Sequence, residues 1–104
     1  MTRVIVSAHA DADAANILGY LANRAGPATA VKYNALLESL YDRLTDYPDS
    51  GSPRPALGPT VRIGIVPPYI VIYDHEPAAD RVTILRIVHG RRRISGAMLS
   101  PLGK

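Results

Sequence analysis

Apolar residues recur along the chain at two spacings, and the change from one to the other divides it. Between Ile17 and Tyr47 they fall three and four apart: Ile17, Leu18, Leu21 and Ala25, then Tyr33, Leu36, Leu37, Leu40, Tyr41, Leu44 and Tyr47. That spacing lines one face of a helix. Asp11 or Asp13 is placed to cap a first helix, and Gly26-Pro27 carries the chemistry that ends one. Thr29 opens a second helix, which Pro48 stops. The link between the two is short, which predicts an antiparallel helical hairpin.

On either side of the hairpin the pattern is that of strands. Residues 3–7 are β-branched at Val4, Ile5 and Val6. The segment "PDSGSPRPALGP" is a loop by its proline, glycine and serine content, and three strands follow it. Residues 61–66 alternate, with Val61, Ile63 and Ile65 on one face and Arg62 and Gly64 on the other. Residues 69–74 are apolar nearly throughout, as a central strand covered on both sides should be. Residues 82–89 form the last, with Pro67-Pro68 and "HEPAAD" as the turns between them. The order β-α-α-β-β-β predicts an α+β fold, a helical hairpin packed on one face of a mainly antiparallel sheet. Its expected core is Ile17, Leu21, Leu37, Leu40, Leu44, Ile63 and Ile65.

A chain of 104 residues has room for one core, so residues 1–104 are read as a single domain. No apolar run approaches the roughly 18 residues that span a bilayer, and the N-terminal apolar run is too short for a signal peptide. No membrane association is therefore expected. The absence of cysteine excludes disulfides and thiolate metal sites, with the cytoplasm as the default compartment. Charge is unevenly divided. Residues 1–60 hold five basic and six acidic side chains, whereas residues 61–104 hold seven basic and three acidic, so the net +3 lies in the C-terminal part. Such a balance suits an anionic partner, either nucleic acid or an acidic protein surface.

The stretch "VTILRIVHGRRRI" concentrates this charge. Arg86 stands inside an apolar strand, where an unpaired guanidinium is not tolerated. It lies either on a second, working face of the sheet or in a structural ion pair. Arg91, Arg92 and Arg93 read either as a solvated basic tail or as a binding surface. Tyr69 and Tyr73 share a strand face that suits packing against the helices better than base stacking. "HADAD" sets His9, Asp11 and Asp13 at alternate positions, but a helix N-terminus accounts for both aspartates, so neither a metal nor another cofactor is expected. "DHE" at 74–76 reads as a polar hairpin turn.

Taken in order, these segments resemble the ParE branch of the RelE/ParE toxin superfamily, the toxins of type II toxin–antitoxin pairs. Ala10, Asp13 and Ile17 fit the family's A-x-x-D-x-x-x-I pattern. "LYDRLTDYPDSGSPRPALGPTVR" is similar to its helix end, proline-rich loop and arginine-bearing strand. "PPYIVIYDHE" is similar to its central strand, and "VTILRIVHGRRRI" to its closing arginine–histidine strand. The resemblance spans essentially the whole chain.

The resemblance implies a working surface on the sheet face opposite the hairpin, where Arg62 and Arg86 would meet. It also implies inhibition of DNA gyrase by binding, through Arg86, His89, Arg91, Arg92 and Arg93. A cognate acidic, ParD-like antitoxin would neutralise the toxin, seated on Leu36, Tyr41, Arg62, Tyr69 and Arg81, with a heterotetramer as a common assembly. RelE-like members of the superfamily instead cleave mRNA on the ribosome, which needs an acid, a base and cations on the phosphate. Arg62, Arg86 and His89 are the candidates for such an activity. No Tyr, His, Asp or Glu follows Arg91 to complete the set. A non-toxic nucleic-acid-binding module and a toxin that has lost its activity are the remaining alternatives.

Overall fold

A computed structural model describes residues 1–91. Strand β1 (Arg3–Val6) leads into helices α1 (Ala8–Ala25) and α2 (Pro27–Asp46), and four strands follow: β2 (Ser52–Pro53), β3 (Val61–Val66), β4 (Tyr69–Glu76) and β5 (Arg81–His89). The sheet order is β1-β5-β4-β3-β2. All pairings are antiparallel except β1 with β5, so the sheet is mixed. The α+β architecture is the expected one, with two additions to it. A short β2 forms inside the proline-rich loop, and "DHE" continues the central strand instead of turning. The turn that follows is a single 3-10 turn, Pro77–Ala79, closed by Asp80 in the left-handed region at φ 49°.

Helix ends differ from the expected ones for local reasons. Ser7, not Asp11 or Asp13, caps α1, its hydroxyl accepting from the Ala10 amide at 3.0 Å. The same hydroxyl donates to the Leu85 carbonyl at 3.1 Å, so the cap also ties the helix start to β5. Helix α2 begins at Pro27 rather than Thr29, because proline at the first helical position sacrifices no hydrogen bond. The hairpin is joined by one residue, Gly26, at φ 95° and ψ 159°, a conformation that side-chain-bearing residues avoid.

The helices cover one sheet face. There Leu37, Leu40 and Leu44 bury against Val66, Tyr69, Val71, Tyr73, Ile84 and Ile87, with Ile17 and Leu21 half-buried at the margin. Strand β3 presents the face opposite to the expected one. Ile63 joins a second, smaller cluster with Val61, Ile72 and Val88 on the far side of the sheet, and Ile65 is 52% exposed. Gly64 is the reason. It lies beneath Leu40, where an added Cβ would come within 3.1 Å of Leu40 Cδ2. Once Gly64 occupies the helix face, alternation sends Ile63 and Ile65 to the other.

Strand β5 carries a bulge. Ile72 pairs with Arg86 and Tyr73 with Ile84, which leaves Leu85 as the extra residue. Strict alternation would place Ile84 and Ile87, three apart, on opposite faces. The bulge puts both in the helix-side core, and it likewise lets Leu85 and Val88 share the far-side cluster. Arg86 belongs to neither.

Candidate functional site

The question raised by Arg86 is answered by α1. Its Nε lies 2.7 Å and its Nη2 3.0 Å from the two carboxylate oxygens of Asp13, a two-point ion pair with both side chains mostly buried. Asp13 Oδ2 also accepts the Ile87 backbone amide at 3.0 Å. Beyond Val6, β1 no longer covers the edge of β5, and the Asp13 carboxylate takes over as the acceptor there. The hydrogen bond and charge of Asp13 raise the Arg86 pKa above the ordinary arginine value, against the opposing effect of burial. Ala10 is fully buried and Ile17 packs on the same core. The A-x-x-D-x-x-x-I spacing thus puts two packing residues either side of one ion-pairing residue on the inner face of α1.

Arg62 is committed as well. It lies on the helix side of the sheet, past the end of α2, where the loop after that helix closes over it. Its Nη1 donates to the carbonyls of Asp49 at 3.0 Å and Gly51 at 2.8 Å, and its Nε lies 3.3 Å from the Asp49 carboxylate. The same carboxylate oxygen is 2.7 Å from Nδ1 of His75, a buried residue in the part of β4 that had been read as a turn. Tyr73 completes the clasp: its hydroxyl donates to the Pro48 carbonyl and accepts from the Gly51 amide, each at 2.9 Å. Sequence reasoning missed Asp49 and His75, since neither carries a periodic or motif signal. Arg62 and Arg86 are therefore not brought together on one working face; each is held by carboxylate and carbonyl groups of its own fold.

The remaining candidates are dispersed. Arg81 pairs with Glu76 across the β4–β5 turn at 2.9 Å. Tyr69 is buried, with Tyr33 edge-on at 5.9 Å on one side and His89 edge-on at 5.7 Å on the other. Burial raises its phenol pKa, with Tyr33 and Tyr20 adding in the same direction. His89 ends β5 in an exposed position, and its Nδ1 accepts the Arg91 backbone amide at 3.1 Å. Arg91 is exposed, whereas Arg92 and Arg93 lie outside the described residues.

Leu36, 41% exposed, lines a groove where α2 passes the outer edge of β3. This groove runs over Leu40, Arg43, Gly64 and Ile65, with cavities of about 180 and 260 Å³ along it. Strand β2 pairs with Arg62 and Ile63, and among the described residues no strand pairs with the edge of β3 from Gly64 on. Tyr41 lines a different groove, between the helices and beside Asp11 and Glu38.

The model of the "ParE toxin of type II toxin-antitoxin system, parDE" family matches residues 4–94. The chain belongs to the ParE toxin family. Among solved structures, a chain of the chromosomal ParDE toxin–antitoxin system from P. aeruginosa is similar in fold, with a TM-score of 0.71 at 23% identity; the match covers 86% of this chain and 96% of that one. No curated protein matches the sequence. No helix of the described residues is long and apolar enough to cross a membrane.

Within this ParE fold Tyr41 offers a pH-dependent readout of the interhelical groove. Burial raises its phenol pKa to about 12, and the nearby Glu38 and Asp11 act in the same direction. The folded protein therefore holds the phenolic proton after an unfolded tyrosine has lost it near 10. Stability contributed by the neutral phenol is complete below that point and is lost as pH rises toward 12. Because the side chain is only half-buried, the loss should be on the order of 1 kcal/mol. Urea unfolding below pH 10 and near pH 12 should show this decline, and Tyr41→Phe should make it shallower, leaving the part that the Tyr69 and Tyr73 phenols contribute.

Proposed function

We propose that this ParE-family toxin inhibits DNA gyrase by binding it, and that a cognate acidic antitoxin neutralises it by occupying the groove between α2 and β3. The observation that carries the first part is the commitment of Arg62 to Asp49 and of Arg86 to Asp13. A phosphoryl-transfer site needs cations aimed at the scissile phosphate and a paired acid and base, and these guanidiniums are turned inward to the fold's own carboxylates. Inhibition by binding needs neither. Arg91, Arg92 and Arg93 supply the target contact in this reading, because the guanidinium fork pairs with carboxylate or phosphate at two points. His89 stands at the end of β5, its ring against the Arg91 amide. For the antitoxin, the exposed apolar side chains of Leu36 and Ile65, with Arg43 at the rim, suit an amphipathic acidic segment. The open edge of β3 lies along the same line.

A supercoiling assay with purified gyrase tests the proposal. The wild-type toxin should inhibit, and prior addition of the antitoxin encoded beside it should abolish inhibition. Arg91 is exposed, and replacing Arg91, Arg92 and Arg93 together by alanine should leave thermal unfolding within about 0.5 kcal/mol of wild type. The same replacement should raise the concentration needed for inhibition at least tenfold, the effect of losing about 1.4 kcal/mol of interface contacts. An inactive wild type that instead produces codon-phased cuts in ribosome-bound mRNA would sink the gyrase reading.

A further inference from the structure

A cavity of about 380 Å³ opens between the exposed side of α1 and the joined ends of β4 and β5, lined by Asn16, Ile17, Tyr20, Tyr69 and His89. Its position and chemistry set it apart from the groove between α2 and β3. Three of its five lining residues carry aromatic rings, and Tyr20 leaves 57% of its surface in solvent. An exposed aromatic of that size on a helix, beside a concavity, presents a flat apolar surface even with Arg24 lying over its ring.

Charge around the cavity has one sign. The Arg24 guanidinium lies over the Tyr20 ring, 5.5 Å from its centroid, and the Lys32 ammonium lies 6.0 Å from the centroid of Tyr33, the ring that meets Tyr69 edge-on. Arg91 is exposed immediately after His89 and Gly90. The acidic residue on the adjacent turn of α1, Asp13, is cancelled by Arg86. A cationic side chain of a protein partner would be repelled here, whereas a planar ring attached to a phosphate would meet stacking surface and positive charge together.

Polar groups in the cavity add donors and acceptors suited to a base edge. The Arg91 amide donates to His89 Nδ1, so a neutral imidazole carries its proton on Nε2 and offers it as a donor. Asn16 presents both an amide donor and a carbonyl acceptor. We propose that Asn16, Tyr20, Tyr69 and His89 form a slot for one unpaired base of a single-stranded nucleic acid, stacked on Tyr20, with Arg24 and Arg91 on the flanking phosphates. Stacking and backbone charge give such a slot little preference for one base over another. The proposal stands independently of the target of the toxin.

Fluorescence anisotropy of labelled oligo-dT and oligo-dA, titrated with the purified toxin, tests it. Tyr20→Ala removes an exposed ring and leaves the core intact. It should weaken binding about tenfold, the size of effect that losing one base–aromatic stack has, while Tyr20→Phe keeps the ring and should bind as wild type. Binding of polyphosphate, which has charge and no bases, should be the same for all three proteins. Failure of the wild type to bind either oligonucleotide at low salt would overturn the slot, as would equal binding by wild type and Tyr20→Ala. Unchanged oligonucleotide binding together with lost gyrase inhibition in Tyr20→Ala would assign the surface to a protein partner instead.

Discussion

Asp13→Ala should destabilise the fold by about 3 kcal/mol in urea unfolding, the low end of the cost of breaking a buried ion pair from one side. The substitution removes three hydrogen bonds at once: two from the Arg86 guanidinium and one from the Ile87 amide. It leaves a guanidinium 18% exposed next to an apolar cluster, without the carboxylate that holds its charge in place. Asp13→Asn should recover part of the loss, because its carbonyl oxygen can still accept the Ile87 amide. Pairing Asp13→Ala with Arg86→Met should recover more than the sum of the single effects allows, since the second change removes the guanidinium whose ion pair the first broke. Additive losses in that double variant would mean that the pair is not coupled and that Arg86 draws its support elsewhere.

Gly51→Ala should cost on the order of 3 kcal/mol and loosen a whole loop. A Cβ at this position would come within 2.5 Å of the Ile63 carbonyl oxygen and of the Tyr73 hydroxyl. Neither can yield without breaking something. The carbonyl belongs to β3, and the hydroxyl is fixed between the Pro48 carbonyl and the Gly51 amide. The loop must therefore move away, which deprives Arg62 of the Gly51 carbonyl and weakens its hold on Asp49. Overpacking costs about 1–3 kcal/mol, and polar groups left without partners add about 1–3 kcal/mol each. Hydrogen exchange should show the Gly51 and Ser50 amides, bonded to the Tyr73 hydroxyl and the Tyr47 carbonyl, losing protection while those of α1 stay slow. Retained protection throughout would contradict the account of the loop as a clasp over Arg62 and Tyr73.

The sequence made the elements legible because they rest on local periodicity. The long stripe on α2 and the order of the strands follow from spacing alone, and the observed β3 has the expected bounds. What could not be read was direction. Gly64 looked like a polar-face residue beside Arg62, although its role is to let Leu40 approach the sheet. A strand with one small residue has two equally regular assignments, and the neighbouring helix decides between them. The bulge at Leu85 was hidden for a related reason, since it only becomes apparent once Ile84 and Ile87 are known to share a core. The partners of the two strand arginines were invisible because they are far away along the chain: Asp13 is separated from Arg86 by 73 positions. What sequence could not supply was the grouping of the candidates, since Arg62 and Arg86 each meet a carboxylate of the fold rather than one another.

The parallel pairing of β1 with β5 has a consequence for how the chain comes off the ribosome. Among the described residues the first strand has its only sheet neighbour in β5, matching Arg3 to Arg81 and Val6 to Ile84. The Thr2 hydroxyl reaches Asp80, and the Ser7 hydroxyl reaches Leu85, each across 78 positions. Until β5 has emerged, the amino-terminal strand has no partner and α1 lacks both the anchor of its cap and the arginine that its aspartate holds. Loop closure over such a distance comes late. Native assembly consequently waits for β5, and a nascent chain stalled before Arg86 cannot have the finished architecture.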